Sequence, residues 1–185
     1  MISISPENCE WYTPSKIKKA IYNTLLKIDL DPCSNPGYPN IEASHHYTKI
    51  DDGLTKTWCG NVYMNPPYGS HTKKWVRKMI DSYQSGNVLQ ALILLPARIE
   101  TNYWYDLSPC VSMWCAIHNR IKFSSDSSSK IKNVGSFGSA MMLLSDDIST
   151  QERFIDNFGK IGIIYAEVKK LANPQMRLVS EVTSE

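Results

Sequence analysis

The chain has 185 residues, with 20 Lys and Arg against 18 Asp and Glu, so its formal net charge is +2. Apolar residues at 42% and charged residues at 21% fit a soluble globular protein and argue against global disorder. No apolar run approaches the ~20 residues needed to span a bilayer, and residues 1–6 lack the basic and apolar segments of a secretory signal.

The length suits one compact domain over 1–175, with a flexible tail over 176–185. Five scattered cysteines (Cys9, Cys33, Cys59, Cys110 and Cys115) form no C-x-x-C pair. They read as reduced thiols in a cytoplasm, not as disulfides or a zinc site. The near-neutral charge permits a nucleic-acid partner without requiring one.

Taken in order, Thr13 is a candidate helix cap and Pro14 a first helical residue, with Ile17, Ala20, Ile21 and Leu25 at helical spacing up to about Lys27. A short strand follows over 28–31. Residues 32–60 are rich in Pro, Gly, Asn and Ser, and read as a long ordered loop or short irregular elements, of the kind that carries function. Residues 61–64 form a strand that stops at Asn65-Pro66-Pro67-Tyr68-Gly69. A second helix starts near Thr72, places Trp75, Val76, Met79, Ile80 and Tyr83 on one face, and stops at Gly86. The apolar run 88–95 reads as a strand covered on both faces. A short helix over 101–108 and strands over 111–117 and 121–123 come next. Residues 124–136, rich in Ser, Lys and Asn, read as a mobile basic loop. Two further strand segments, 137–144 and 161–166, flank a helix over 151–158. The alternation predicts an α/β fold, a three-layer sandwich with a parallel central section.

The tetrapeptide Asn65-Pro66-Pro67-Tyr68 carries the chemistry. It stands at the carboxyl end of a strand, where open α/β sheets place their ligands. Two prolines fix φ and remove two N–H donors, so the turn is stiff and presents carbonyl oxygens. Asn65 adds an amide acceptor and Tyr68 a ring, a combination that suits a flat substrate with an exocyclic amino group. Asn-Pro also starts ordinary turns, so the position between strand and helix is what gives the motif weight.

With its surroundings, the tetrapeptide resembles the phage-type (Dam-like) DNA N6-adenine methyltransferases. The resemblance runs in order through Glu10-Trp11-Tyr12-Thr13-Pro14, Leu30-Asp31-Pro32-Cys33-Ser34, and Asp52-Gly53-Leu54 with Trp58. It continues through Trp75, Leu95-Pro96-Ala97-Arg98 with Thr101 and Trp104, and Arg120-Ile121-Lys122-Phe123. It implies a Rossmann-like, S-adenosylmethionine-dependent methyltransferase fold, with a mainly parallel sheet and a C-terminal antiparallel hairpin. It further implies that Trp11, Tyr12, Thr13 and Pro14 wrap the methionine end of the cofactor. Asp31, followed by Pro32, Cys33 and Ser34, would lie beside the sulfonium and amino group. Asp52 would accept from the cofactor's adenine, with Leu54 against that ring. The glycine-rich turn of many methyltransferases is absent: Pro32-Cys33-Ser34-Asn35-Pro36 stands in its place, as in this branch.

The implied reaction methylates the N6 amino group of an adenine flipped out of double-stranded DNA. Asn65 and the Pro66 carbonyl would accept its hydrogens, Pro67 would stiffen the turn, and Tyr68 would stack on the base. Lys73, Lys74, Arg77, Arg98, Arg120, Lys122, Lys130 and Lys132 are the candidate DNA contacts. The runs on the second helix also fit an ordinary solvated face. His45, His46 and His71 lack partners at ligand spacing, so no metal is expected. The implied setting is DNA modification in a bacterial cytoplasm, as in restriction-modification, by a bacteriophage-encoded enzyme. Protein-glutamine N5 methylation uses the same turn and is the alternative reaction. A non-catalytic nucleic-acid or cofactor binder is the alternative outside enzymology.

Overall fold

A computed structural model describes residues 13–36, 39–124, 131–134 and 137–166. Trp11, Tyr12, Lys130 and the expected tail over 176–185 lie outside the described residues. In chain order the elements are α1 (Ser15–Leu25), β1 (Leu30–Asp31), β2 (His45–His46), β3 (Gly60–Met64), α2 (Thr72–Gln84), β4 (Val88–Pro96), α3 (Asn102–Leu107), β5 (Met113–Ile117), β6 (Lys122–Ser124), β7 (Ile131–Val134), β8 (Ser139–Leu144), α4 (Ile148–Phe158) and β9 (Gly162–Ala166).

Seven strands form one sheet in the order β2-β1-β3-β4-β8-β5-β9. β2, β1, β3 and β4 pair in parallel, while β8 runs antiparallel to both β4 and β5. The long strand β4 explains why its sequence is apolar throughout. Ala91, Ile93 and Leu95 pack on one face with Trp75, Val76 and Met79 of α2 and Trp104 and Leu107 of α3. Leu92 and Leu94 pack on the other with Ile17, Ile21 and Leu25 of α1 and Phe154 and Phe158 of α4. A strand buried on both faces has no polar side to alternate with.

Helix α2 ends as its sequence predicts. Gly86 takes φ +78°, a left-handed conformation that closes the helix without the steric cost a side chain would add. Helix α1 begins differently. Pro14 stands in the cap position, and its carbonyl accepts from the N–H groups of Ile17 and Lys18, each at 3.0 Å. Thr13 does not cap. Its N–H donates to Asn40 Oδ1 at 2.9 Å, and its hydroxyl meets Tyr63 in β3 at 3.1 Å. Tertiary partners outbid the local cap.

The segment 32–60 holds short elements within its loop: β2, a two-residue edge strand, and a 3-10 turn over Gly53–Thr55. Two further expectations change. The segment expected to be a mobile basic loop over 124–136 contributes β7, which pairs antiparallel with β6. Among the described residues β8 and β9 do not make the expected C-terminal hairpin, because they lie on opposite sides of β5 and pair with it, not with each other. Helix α4 between them carries the chain over the sheet, so neighbours in sequence become second neighbours in space. Among the described residues, no helix is long and apolar enough to cross a membrane.

Candidate active site

The parallel strands bring their carboxyl ends to one edge of the sheet. The loops after β1, β3 and β4 therefore meet there. So does the segment entering β8, because β8 is antiparallel to β4. This shared edge assembles residues that are remote in sequence.

After β3, Asn65 is half-buried, Pro66 buried, Pro67 exposed and Tyr68 half-buried. Thr72, the first residue of α2, closes the turn. Its hydroxyl donates to the Pro67 carbonyl at 3.0 Å and accepts from the Gly69 N–H at 3.0 Å. The clamp therefore falls on the second proline's carbonyl, not the first. Burial raises the Tyr68 hydroxyl's pKa far above the ordinary tyrosine range, helped by the nearby Cys33 and Tyr103. Tyr68 is a ring with a neutral hydroxyl, not a base.

After β1, Asp31 is 3% exposed and its carboxyl pKa is raised to about 6. Burial is the cause. It is opposed by the Cys33 N–H, which donates at 3.2 Å, by the charge of His46, and by the Ser34 hydroxyl. That hydroxyl faces Asp31 without a hydrogen bond of good geometry. Pro32 and Ser34 are buried and Cys33 half-buried. The Cys33 thiol is pushed up by burial and by the Asp31 charge, and the Asn65 N–H works against that rise. Cys33 thus joins the β1 loop to the Asn-Pro-Pro-Tyr turn.

Asp52 is exposed in a left-handed conformation (φ 50°) and opens a 3-10 turn, Gly53–Thr55. Gly53 packs so tightly on the Pro32 carbonyl that a Cβ would overlap that oxygen. The Trp58 indole N–H donates to the Gly53 carbonyl at 2.8 Å, and Trp58 stacks on Trp75 at 5.9 Å. Leu54 packs against the same cluster. The Asp31 and Asp52 segments are therefore neighbours through Gly53 and Pro32. Thr13 joins the same edge through its hydroxyl contact with Tyr63 of β3, and Pro14 follows it at the head of α1.

Among the described residues, three buried side-chain polar atoms have no hydrogen-bond partner: Ser34 Oγ, Asn35 Nδ2 and Tyr68 OH. Folded proteins leave few such atoms, and each asks for a partner. All three stand on the loops after β1 and β3. An apolar cavity of about 200 Å³ is lined by Trp104, Ser108, Val111, Trp114, Met142 and Ala166, and none of the candidate site residues lines it.

The cationic candidates are all exposed where their side chains are described: Lys73, Lys74, Arg77, Arg98, Arg120 and Lys122. Lys73 and Lys74 stand in the first turn of α2, directly beyond the clamped turn. Arg77 pairs with Asp81 at 3.1 Å, which offsets part of its charge locally. Arg120 and Lys122 follow the carboxyl end of β5, and Lys132 lies in β7. Arg98 sits with its guanidinium carbon 5.1 Å from the centre of the Phe137 ring. Phe137 and Asn40 are structural partners that no local sequence signal marks. Among the described residues no group of three His, Cys, Asp or Glu side chains could hold a metal ion.

The family model for DNA N-6-adenine-methyltransferase (Dam) matches residues 4–172, nearly the whole chain. No curated protein matches closely enough to serve as a relative. The chain belongs to the DNA N-6-adenine-methyltransferase family, and that membership supports DNA adenine methyltransferase activity in general.

Proposed function

We propose that this member of the Dam family methylates the N6 amino group of adenine in double-stranded DNA, acting on a base extruded from the stack. The observation that carries the reading is the set of unpartnered buried polar atoms (Ser34 Oγ, Asn35 Nδ2, Tyr68 OH) on the loops after β1 and β3, which Cys33 and Asn65 bring together. The sheet also supports a Rossmann-like methyltransferase fold, with helices on both faces and the reversed strand β8 between β4 and β5.

S-adenosylmethionine, when bound, supplies the methyl group on its sulfonium. Its amino acid end fits the loop after β1. Asp31 offers a buried carboxylate to an ammonium or sulfonium, and Ser34 and Asn35 offer unspent polar groups to a carboxylate. Thr13 and Pro14 would flank it, continuing Trp11 and Tyr12. Asp52 and Leu54 would hold the cofactor's adenine, seated by the contact of Gly53 with Pro32.

The turn then orients the acceptor. An adenine N6 lone pair is delocalised into the ring and is a poor nucleophile. Asn65 Oδ1 and the Pro66 carbonyl accept the two N6 hydrogens, drawing nitrogen towards tetrahedral geometry and aiming its lone pair. The Thr72 bond leaves this work to Pro66 by occupying the Pro67 carbonyl. Tyr68 stacks on the base. No strong base is needed, because the amino proton becomes acidic only after transfer. Lys73, Lys74, Arg77, Arg120, Lys122, Lys130 and Lys132 would contact phosphates around the extruded nucleotide. The setting implied is DNA modification in a bacterial cytoplasm by a phage-encoded enzyme.

The test is expression in a host lacking adenine methylation, followed by digestion of its DNA to nucleosides. N6-methyladenine is expected with the wild type and not with Asn65→Ala. Its absence in both would overturn the reading.

A further inference from the structure

We propose that Phe137 and Arg98 form a positioning wall for the acceptor pocket, with Arg98 acting through the Phe137 ring and not through a DNA phosphate. This rests on the reading of the Asn65–Tyr68 turn as the acceptor site. Phe137 lies 5.8 Å from Tyr68, ring centre to ring centre, with the planes at 57°. The two rings meet as a closed, tilted wedge, so Phe137 buttresses Tyr68. Trp114 and Tyr165, by contrast, stack face to face at 4.4 Å and 15°.

The wedge is held by the main chain. Pro96 pairs with Ser139 across β4 and β8, and the Ala97 N–H donates to the Gly138 carbonyl at 2.9 Å. Arg98 and Phe137 are the next residues out on each side of that bond. The guanidinium is thereby set over the ring, at 5.1 Å, within the range of a cation–π contact. Tyr68 needs such support, because its buried hydroxyl has no hydrogen bond to fix the ring. Packing against Phe137 is what remains, and Arg98 steadies Phe137.

This assigns Arg98 a role different from that of Lys73 or Lys74. A phosphate contact contributes to DNA affinity and to its dependence on salt, whereas a positioning residue acts on the chemical step.

The experiment is a double-mutant cycle of Arg98→Ala and Phe137→Leu. It measures kcat and KM on DNA from a methylation-deficient host, and DNA affinity across a salt series. Each single variant is expected to lose kcat roughly tenfold with little change in KM, as misplacement of a reacting group does. The double variant should be no worse than either single one, Phe137→Tyr should retain activity, and Arg98→Ala should leave the salt slope unchanged. A salt slope lowered by about one in Arg98→Ala, with losses that add in the double variant, would overturn the inference and make Arg98 a phosphate contact. Should Phe137→Leu fail to fold, the exposed Arg98 still decides through its kcat and salt slope. An inactive wild type would instead remove the proposed function itself.

Discussion

The Thr72 hydroxyl donates to the Pro67 carbonyl at 3.0 Å while accepting from the Gly69 N–H at the same distance. One side chain thereby bridges the end of the turn and the start of α2. The turn's two prolines supply rigidity from within. Thr72, 2% exposed, fixes the turn's orientation from outside.

Thr72→Val keeps the shape and removes both hydrogen bonds. It is expected to lower stability by about 1–2 kcal/mol, seen as a shifted denaturation midpoint. Transfer should slow in single-turnover measurements while S-adenosylmethionine affinity holds, because Asp31 ends β1 and Asp52 stands on another loop. Equal losses in both would show that the clamp supports the whole edge and not the turn.

Gly53→Ala tests the junction between the two proposed halves of the cofactor site. A methyl group there overlaps the Pro32 carbonyl, and the backbone on both sides must give way. Overpacking of this kind costs typically about 1–3 kcal/mol. Cofactor affinity measured by titration should fall with stability, and DNA affinity in a gel-shift or anisotropy assay should not. Unchanged cofactor affinity would separate Asp52 from the site.

Tyr63→Phe addresses how the segment before α1 is tied down. The Tyr63 hydroxyl meets the Thr13 hydroxyl at 3.1 Å, and Asn40 Nδ2 donates to the same Thr13 oxygen at 2.8 Å. Removing one of two partners should cost on the order of 1 kcal/mol in thermal or denaturant unfolding. Asn40→Ala removes two bonds to Thr13 and should cost more. Similar values for the two would mean that Thr13 is held chiefly by burial.

What was legible in the sequence was local and periodic. Trp75, Val76, Met79 and Ile80 announced α2, and the prolines after Met64 announced the turn, because each signal lies within one element. Pairings between distant segments left no such mark. Phe137 meets Tyr68 only because β8 enters the sheet antiparallel beside β4, a topological fact with no local residue pattern. Thr13 resembled a cap because the cap preference is a local propensity, and Asn40 and Tyr63 are tertiary competitors for the same hydroxyl. The segment 124–136 looked like a loop because its Ser, Lys and Asn residues mask a strand as short as β7. At the site, the turn itself could be read directly. The roles proposed for Asp31 and Asp52 rest on the family resemblance, since a carboxylate at the end of a strand or in a turn is common.

Asp31 gives the last prediction, in pH. Its folded pKa of about 6 lies above its ordinary value of 3.8, so the folded protein holds this proton more tightly than the unfolded chain. Its contribution to stability is therefore greatest below pH 4 and is lost as pH rises to about 6, by roughly 3 kcal/mol. The cofactor-free protein bears the cost of a buried anion at neutral pH, where the Cys33 N–H offsets only part of it. A bound ammonium or sulfonium would reverse the balance by favouring the carboxylate. Affinity for S-adenosylmethionine should then weaken by up to about tenfold per pH unit below pH 6, with proton release on binding. Asp31→Asn should stabilise the cofactor-free protein at neutral pH, bind the cofactor poorly, and show neither dependence. Denaturation across pH and calorimetric titration in buffers of different ionisation enthalpy measure both. A wild type that binds equally well at pH 5 and pH 7 would show that Asp31 is not the group facing the cofactor's positive charge.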